Sequence, residues 1–122
     1  MSLRILAIDD SRTMRNLLRA TLEEAGFDVT TAEDGRDGID NLRAAAPDVI
    51  ITDINMPRLD GFGVIEAVRS SDCAASVPVL VLSTESSAEM KDRARRSGAT
   101  GWIVKPFDDQ RLVSAIRRVA RA

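Results

Sequence analysis

The stretch Val49-Ile50-Ile51-Thr52-Asp53-Ile54-Asn55-Met56-Pro57 decides the fold of this chain. An apolar, β-branched run ends in a single aspartate, and a proline follows four residues later. The run is too short for a membrane span and too evenly apolar for a strand with one face in water. It is typical of a central strand that is buried on both faces of a parallel sheet. The pattern therefore places Asp53 at the carboxyl end of a strand, where ligands gather in open α/β sheets.

Length and composition restrict the class of protein. The chain has 122 residues, 44% of them hydrophobic, which is enough for one domain with a substantial core. A net charge of -2 argues against a general nucleic-acid binder. No apolar run approaches the ~20 residues of a membrane span, and the N-terminus shows no signal-peptide pattern. We therefore expect a cytoplasmic protein that binds neither nucleic acid nor membrane, and the lone Cys73 fits a reducing compartment.

The sequence contains no histidine, which narrows its chemistry further. The chain itself cannot supply a phosphohistidine, a histidine general base or a histidine metal ligand. Any metal site must then consist of oxygen ligands, which suit a hard cation such as Mg²⁺.

Apolar patterning alternates between strand-like and helical segments along the chain. We predict strands at 3–8, 27–32, 48–53, 78–82 and 100–104, and helices around 12–25, 38–46, 62–68, 85–97 and 112–119. Alternation with short connections predicts a doubly wound α/β fold, with a five-stranded parallel sheet, five helices and right-handed crossovers. Nothing in the pattern indicates a linker or a second domain, so we expect residues 1–122 to form a single domain.

Charged and hydroxyl side chains follow the predicted strands at their carboxyl ends. They are Asp9 and Asp10 after the first strand, Asp53 at the third, Ser83 and Thr84 after the fourth, and Lys105 after the fifth. Because parallel strands end at one edge of the sheet, we expect these residues to share one shallow pocket.

Three carboxylates in one pocket repel each other, by roughly 4 kcal/mol for two charges about 4 Å apart at an effective dielectric of about 20. Either one carboxyl takes up a proton or a cation binds, and this arrangement of acids matches the way proteins hold Mg²⁺. The ion would screen an incoming phosphate, and Lys105 would bind a phosphate oxygen. The combination indicates phosphoryl transfer to Asp53 as nucleophile, after which the Ser83 hydroxyl would swing toward the new group.

Each residue taken alone also has an ordinary structural explanation. The acids and hydroxyl residues could cap the helices that follow them, Lys105 could be a solvated loop lysine, and Trp102 could belong to the core. The bond between Lys105 and Pro106 is by default trans. Because capping accounts poorly for all these strand ends together, we favour the shared site.

Five motifs resemble those of the receiver domains of two-component response regulators, and within that family the single-domain chemotaxis regulators of CheY type. They are Ile8-Asp9-Asp10-Ser11, Ile51-Thr52-Asp53-Ile54-Asn55-Met56-Pro57, Asp60-Gly61, Leu82-Ser83-Thr84-Glu85 and Gly98-Ala99-Thr100-Gly101-Trp102-Ile103-Val104-Lys105-Pro106-Phe107. The motifs span essentially the whole chain in the family's order. The resemblance implies a flavodoxin-like sheet with strand order 2-1-3-4-5.

The resemblance also implies a function. Asp53 would accept a phosphoryl group from the phosphohistidine of a sensor histidine kinase and so switch the binding of a downstream target protein, foremost the flagellar motor switch in chemotaxis. A phosphatase is a further expected partner. Apart from promoting its own phosphorylation and dephosphorylation, the protein would not be an enzyme.

Specific residues acquire roles from this resemblance. Mg²⁺ would be held by the side chains of Asp9, Asp10 and Asp53 and by the backbone carbonyl of Asn55. Lys105 would contact the phosphoryl group, and its bond to Pro106 would be cis.

The switch is implied at Ser83 and at Trp102, which match the family's Ser/Thr and aromatic switch positions. Asn55 and Glu85 occupy positions that tune phosphate loss. Trp102 is bulkier than the usual Tyr or Phe, so its inward movement would be restricted. Ile54 stands where some chemotaxis members have a Trp.

The predicted helix at 85–97 has the thinnest apolar face of the five, made of Ala88, Met90 and Ala94. Basic residues are concentrated on it and on the last helix: Lys91, Arg93, Arg95, Arg96, Arg111, Arg117, Arg118 and Arg121. We hypothesise that these two helices and the Trp102 strand form a mobile output surface that prefers an acidic partner. A merely solvated charged face is the alternative.

Other functions fit parts of the same pattern. A phosphorelay intermediate or a phosphate sink would use the same residues. A haloacid-dehalogenase-type phosphatase also has an aspartate nucleophile, but it needs a second acid two residues later, and here Asp9 is followed directly by Asp10. A flavodoxin-like FMN carrier would need a Ser/Thr/Gly phosphate cradle where this chain has two acids. A pseudo-receiver would need neither the acids nor Lys105.

Overall fold

A computed structural model of the chain describes residues 2–120. Arg121, which the sequence assigns to the basic last helix, lies outside this range. The described residues form five strands and six helices: β1 Arg4–Ile8, α1 Arg12–Glu24, β2 Asp28–Ala32, α2 Gly35–Asp40, α3 Leu42–Ala45, β3 Val49–Thr52, α4 Gly61–Ser70, β4 Val79–Ser83, α5 Ala88–Ser97, β5 Gly101–Val104 and α6 Asp109–Ala120. None of these helices is long and apolar enough to cross a membrane.

The strands form one parallel sheet in the order β2-β1-β3-β4-β5. This confirms the doubly wound α/β fold and the strand order that the resemblance implies. In the register between β1 and β3, Ile8 is paired with Thr52. Since this pair stands at the carboxyl ends of both strands, the residues that follow them are neighbours at the sheet edge.

Burial of the central strands on both faces explains why they are so evenly apolar. On one face, Val49 and Ile51 of β3 pack with the buried side of α1 and α6. On the other, Ile50 packs with the buried side of α4. Successive side chains of a strand point to opposite faces, so a strand covered on both faces needs apolar residues at every position.

The prediction of five helices is wrong, because the expected helix around 38–46 is two short helices. It begins earlier, at Gly35, where the Asp34 side chain accepts a hydrogen bond from the Asp37 amide at 2.8 Å. It is interrupted at Asn41, whose side-chain amide donates to the Asp37 carbonyl at 2.8 Å and whose backbone leaves helical geometry. α3 then ends at Ala46 in the left-handed conformation.

The helix expected from residue 85 begins three residues later, at Ala88. The Ser87 side chain caps it by accepting a hydrogen bond from the Met90 amide at 3.2 Å. Thr84 to Ser86 therefore belong to the loop that joins β4 to α5.

Little apolar burial holds α5, since Ala94 is the one buried side chain of this fully described helix. At its end, Gly98 adopts the left-handed conformation, and its carbonyl accepts hydrogen bonds from Arg69 of α4 at 2.7 and 3.1 Å. The Arg93 guanidinium lies 3.9 Å from the centroid of the Phe62 ring. These contacts join α5 and its C-terminal end to α4, while Ala94 packs in the apolar cluster that includes Val79 and Val81 of β4.

An ion pair between a buried aspartate and an exposed arginine joins the N-terminus of α2 to the loop after β3. Asp34 is 6% exposed and accepts two hydrogen bonds from the guanidinium of Arg58, at 2.8 and 2.9 Å. The bond from Arg58, and after it the bond from the Asp37 amide, hold the pKa of Asp34 below its ordinary value.

This lowered pKa predicts a pH-dependent effect of Asp34→Asn. The carboxylate stabilises the fold above its unfolded-state pKa, and the contribution is lost as the pH falls through the lower folded-state pKa. We expect Asp34→Asn to be less stable than the wild type at neutral pH, and the difference to shrink below about pH 4. Urea unfolding of both proteins across this pH range measures the difference.

The control is Asp72→Asn, which removes an exposed carboxylate from its surface pair with Arg43. Exposed pairs contribute little, so this variant should differ only slightly from the wild type at every pH. A difference between wild type and Asp34→Asn that stays constant from neutral to acid pH would contradict the ion-pair account.

Candidate functional site

Neighbouring strand ends bring the acids together at the carboxyl edge of the sheet. Asp9 follows β1 and Asp53 follows β3, and the Asp53 amide donates to the Ile8 carbonyl at 3.1 Å. Lys105 follows β5, with its amide bonded to the Ser83 carbonyl at 2.8 Å. The sheet ladder thus extends past the assigned strand ends and fixes the backbone from which these side chains project.

The three predicted acids form a compact cluster. Carboxylate oxygens of Asp9, Asp10 and Asp53 lie within 4.8 Å of one another. Asp9 is buried at 1% exposure, Asp53 is partly exposed and Asp10 is exposed, so the cluster opens to solvent on one side. Oxygen ligands of this kind, with room for water beside them, suit Mg²⁺. The donor set therefore fits the cation expected from the sequence.

Lys105 neutralises part of this charge. Its Nζ donates to Asp9 Oδ2 at 2.8 Å and to Asp53 Oδ2 at 3.0 Å. Burial by itself lowers the pKa of Lys105, but the hydrogen bonds to the two carboxylates outweigh it, so the pKa stands above its ordinary value. The ammonium group therefore stays charged and bridges two strands of the sheet.

Backbone amides orient the remaining oxygens of the same carboxylates. Asp53 Oδ1 accepts a hydrogen bond from the Ile54 amide at 2.7 Å, and Asp9 Oδ1 accepts one from the Ser11 amide at 2.9 Å. Asp53 is thus held by an amide on one oxygen and by Lys105 on the other. Because it is also partly exposed, an incoming group can reach it from solvent.

A second set of contacts connects Ser83 with Trp102. Ser83 is buried at the end of β4, and its Oγ accepts a hydrogen bond from the Glu85 amide at 3.2 Å. The Glu85 carbonyl accepts one from the indole Nε1 of Trp102 at 2.9 Å. The backbone of residue 85 therefore joins the two predicted switch residues, while the neighbouring Thr84 is exposed.

Two further features concern residues implied by the resemblance. The peptide bond between Lys105 and Pro106 is cis. Asn55 is exposed in the loop between β3 and α4, close in the chain to the acid cluster.

Sequence reasoning missed two arginine contacts in the segments that carry or follow the cluster residues. Arg15 of α1 donates to the Asp9 carbonyl at 2.8 Å, and Arg58 binds Asp34 as described above. No sequence pattern distinguishes either arginine from an arginine that is simply exposed to solvent. A sequence signal exists only for Asp34, which precedes Gly35 at a helix start.

Comparison with known proteins agrees with the family resemblance of the sequence motifs. The family model for the response regulator receiver domain matches residues 5–117. Protein PilG of Pseudomonas aeruginosa is 35% identical over 115 residues, which are 94% of this chain and 85% of PilG. Two other regulators are 36% and 39% identical but longer, and this chain spans 52% and 50% of their lengths.

Solved structures agree with the family match. Chemotaxis protein CheY4 of Vibrio cholerae is 42% identical, with a TM-score of 0.93 over 98% of this chain and 99% of that one. The receiver domain of sensor histidine kinase PA1611 of Pseudomonas aeruginosa is 22% identical, with a TM-score of 0.91 over 100% of both chains. That structure is described with a magnesium ion coordinated in its active site cleft, and at this identity the likeness shows the fold alone.

The position of Lys105 predicts how a divalent cation affects stability. Lys105→Met removes the ammonium group between two carboxylates, and breaking a buried ion pair costs roughly 3 kcal/mol. We expect this loss in the presence of a chelator and a partial recovery with excess MgCl₂, because a cation then replaces the missing charge. Urea unfolding under both conditions measures the effect.

The matched control is Lys91→Met, which removes an exposed lysine on α5 and should leave the response to magnesium unchanged. The stabilisation by MgCl₂ should be larger in Lys105→Met than in the wild type, where the cation competes with the ammonium group. An equal loss of stability with chelator and with magnesium would show that the ion does not replace the missing ammonium group. If MgCl₂ stabilises neither protein, the acids do not bind the ion.

Proposed function

Because this chain belongs to the response regulator receiver family and is CheY-like, we propose that it is a phosphorylation-dependent switch. Asp53 accepts a phosphoryl group from the phosphohistidine of a sensor histidine kinase. One observation carries the proposal: three carboxylates and an ammonium group meet at one edge of the sheet, around a partly exposed aspartate. The chain has no histidine, so the donor imidazole belongs to the partner.

In the proposed transfer, an Asp53 oxygen forms a bond to phosphorus while the bond from phosphorus to the donor imidazole breaks, and the imidazole leaves with the electron pair. The Ile54 amide keeps the carboxylate oriented from one oxygen. Lys105, now bonded to the other oxygen, transfers a hydrogen bond to a phosphoryl oxygen and offsets its charge. Positioning and charge neutralisation supply most of the catalysis.

The acid cluster fits Mg²⁺ as a cofactor. Asp9, Asp10 and Asp53 would hold the ion, together with the backbone carbonyl of Asn55 that the family resemblance implies. When bound, Mg²⁺ supplies positive charge to the phosphoryl oxygens during transfer. A magnesium ion is described in the receiver domain of PA1611, which shares this fold.

We propose that Ser83 and Trp102 transmit the change. A phosphoryl group on Asp53 offers strong acceptor oxygens, and the Ser83 hydroxyl would turn toward it and give up the Glu85 amide. Since the Trp102 indole is bonded to the carbonyl of the same residue, movement of the β4–α5 loop would reach β5. Asn55 and Glu85 are the proposed tuning positions for phosphate loss.

The proposed output surface consists of α5, β5 and α6. Basic residues on both helices and the scarce apolar burial of α5 support a mobile face that selects an acidic partner. The similarity to CheY4, named a chemotaxis protein, supports a chemotaxis role, with the flagellar motor switch as target and a phosphatase as further partner. The proposed setting is the cytoplasm, without nucleic acid or membrane as partner.

The same chemistry would serve a phosphorelay intermediate or a phosphate sink, and these differ from a motor regulator in their partners alone. In each role the protein would be no enzyme beyond its own phosphorylation and dephosphorylation. An aspartate-nucleophile phosphatase would instead turn over many phosphate esters.

Intact mass spectrometry after incubation with acetyl phosphate and Mg²⁺ tests the proposed function. We expect the mass of the wild type to rise by one phosphoryl group, because Asp53 is the reachable carboxylate beside Lys105. Asp53→Asn should show no rise, whereas the control Asp60→Asn, an α4 cap outside the cluster, should be phosphorylated normally. Release of inorganic phosphate from phosphate esters over many turnovers would favour the phosphatase.

Hydrogen exchange tests the mobile output surface. We expect the amides of α5 to exchange faster than those of α1 and α6, which bury more apolar side chains, and to change further when acetyl phosphate and Mg²⁺ are added. The Asp53→Asn protein provides the unphosphorylated control. If α5 is among the best protected helices and phosphorylation leaves its exchange unchanged, the mobility hypothesis fails.

A further inference from the structure

The ion pair of Asp34 and Arg58 has no direct role in the proposed phosphorylation mechanism, but it connects two segments beside the acid cluster. Asp34 stands before α2, and Arg58 lies in the loop between β3 and α4. The guanidinium binds both carboxylate oxygens, Nε to Oδ2 at 2.8 Å and Nη2 to Oδ1 at 2.9 Å. This two-pronged geometry fixes orientation as well as distance.

The backbone conformation of Arg58 is unusual for a residue other than glycine. Its φ is 68°, in the left-handed region that side chains other than those of glycine seldom adopt. Contacts must offset this unfavourable backbone. The bidentate bond to Asp34 is the side-chain contact that can do so, beside the backbone hydrogen bond from the Leu59 amide to the Pro57 carbonyl at 2.8 Å. The pair therefore holds the loop in a conformation that the arginine backbone would not choose by itself.

Close packing on both sides leaves the same loop little freedom. A Cβ added to Gly35, at the start of α2, would lie 2.1 Å from the Leu59 carbonyl oxygen. A Cβ added to Gly61, at the start of α4, would lie 2.3 Å from the Asp53 carbonyl oxygen. Backbone meets backbone at both points, so the loop has little room to move independently of α2 or of the Asp53 backbone.

We infer that Asp34 and Arg58 are positioning residues for the divalent cation site: their bond fixes the loop from Asp53 to Gly61 and, with it, the backbone carbonyl of Asn55. The inference rests on the proposed function, because that carbonyl is the proposed partner of the three acids. Neither side chain is among the proposed ligands of the cation. Partners beyond the ligands that hold a metal site in shape typically affect its affinity by about tenfold or more.

Arg58→Gly is the decisive variant. Simple electrostatics and the positioning role predict opposite changes in its affinity for magnesium. Glycine accepts the left-handed conformation without strain, so the change removes the bond to Asp34 and little else. Loss of a positive charge would by simple electrostatics tighten the binding of a cation. Loss of positioning would weaken it, by about tenfold. Arg58→Lys keeps the charge but cannot make the two-pronged bond, and should also weaken binding.

Amide chemical shifts in nitrogen-15 NMR spectra, followed during titration of the full chain with MgCl₂, give the dissociation constant without any phosphorylation step. Arg43→Gly is the matched control, because it breaks a surface ion pair and places glycine in α3 without touching the loop. Its magnesium affinity should equal that of the wild type even though its stability falls. Asp34→Asn combined with Arg58→Gly should bind no more weakly than Arg58→Gly alone, since both changes break one bond.

The outcomes separate this inference from the proposed function. If the wild type binds Mg²⁺ and Arg58→Gly binds it equally or more tightly, the positioning role is wrong while the switch remains. If the wild type shows no magnesium binding at all, the proposed metal-dependent function fails and the positioning role fails with it. Weaker binding in Arg58→Gly and Arg58→Lys, with Arg43→Gly unchanged, supports the inference.

Discussion

Mutual repulsion among the three carboxylates at the sheet edge is the constraint on which the site depends. Oxygens of Asp9, Asp10 and Asp53 lie within 4.8 Å of one another, and at such distances like charges cost several kcal/mol unless something neutralises them, roughly 4 kcal/mol for a pair at about 4 Å. Lys105 provides one positive charge between Asp9 and Asp53. The remaining negative charge makes the site attractive to a hard cation such as Mg²⁺. In the proposed function, that cation would offset the charge of an incoming phosphoryl group.

The sheet holds the three acids close together by fixing the backbone position of each one. Alternate side chains of the central strand pack against different helices, so a shift of one residue would disrupt the packing on both faces of the sheet. The core therefore sets the backbone positions of the acids, while the loops beyond the strand ends carry the contacts that surround them. The Asp34–Arg58 pair and the Ser83–Glu85–Trp102 contacts lie in those loops, one on each side of the acid cluster.

Much of the fold can be predicted from the sequence, because the spacing of apolar residues along the chain depends only on neighbouring residues. The run from Val49 to Thr52 predicts a central strand, and the structure buries every residue of it. Helix interruptions are harder to predict, because they depend on competing hydrogen bonds. The Asn41 amide binds the Asp37 carbonyl and separates α2 from α3, yet asparagine also occurs inside continuous helices. The late start of α5 likewise follows from the choice of Ser87, rather than an earlier residue, as the cap.

The sequence by itself determined that Asp53 lies at the end of a buried strand and that the other predicted site residues follow their own strands, because strand ends and polarity are encoded locally. Only the tertiary structure decided which charges meet. Lys105 is 96 residues from Asp9 and 52 from Asp53, and Arg58 is 24 from Asp34. Such pairs form only when all the elements pack together, and no local pattern distinguishes the arginine that binds a buried aspartate from one that lies in water.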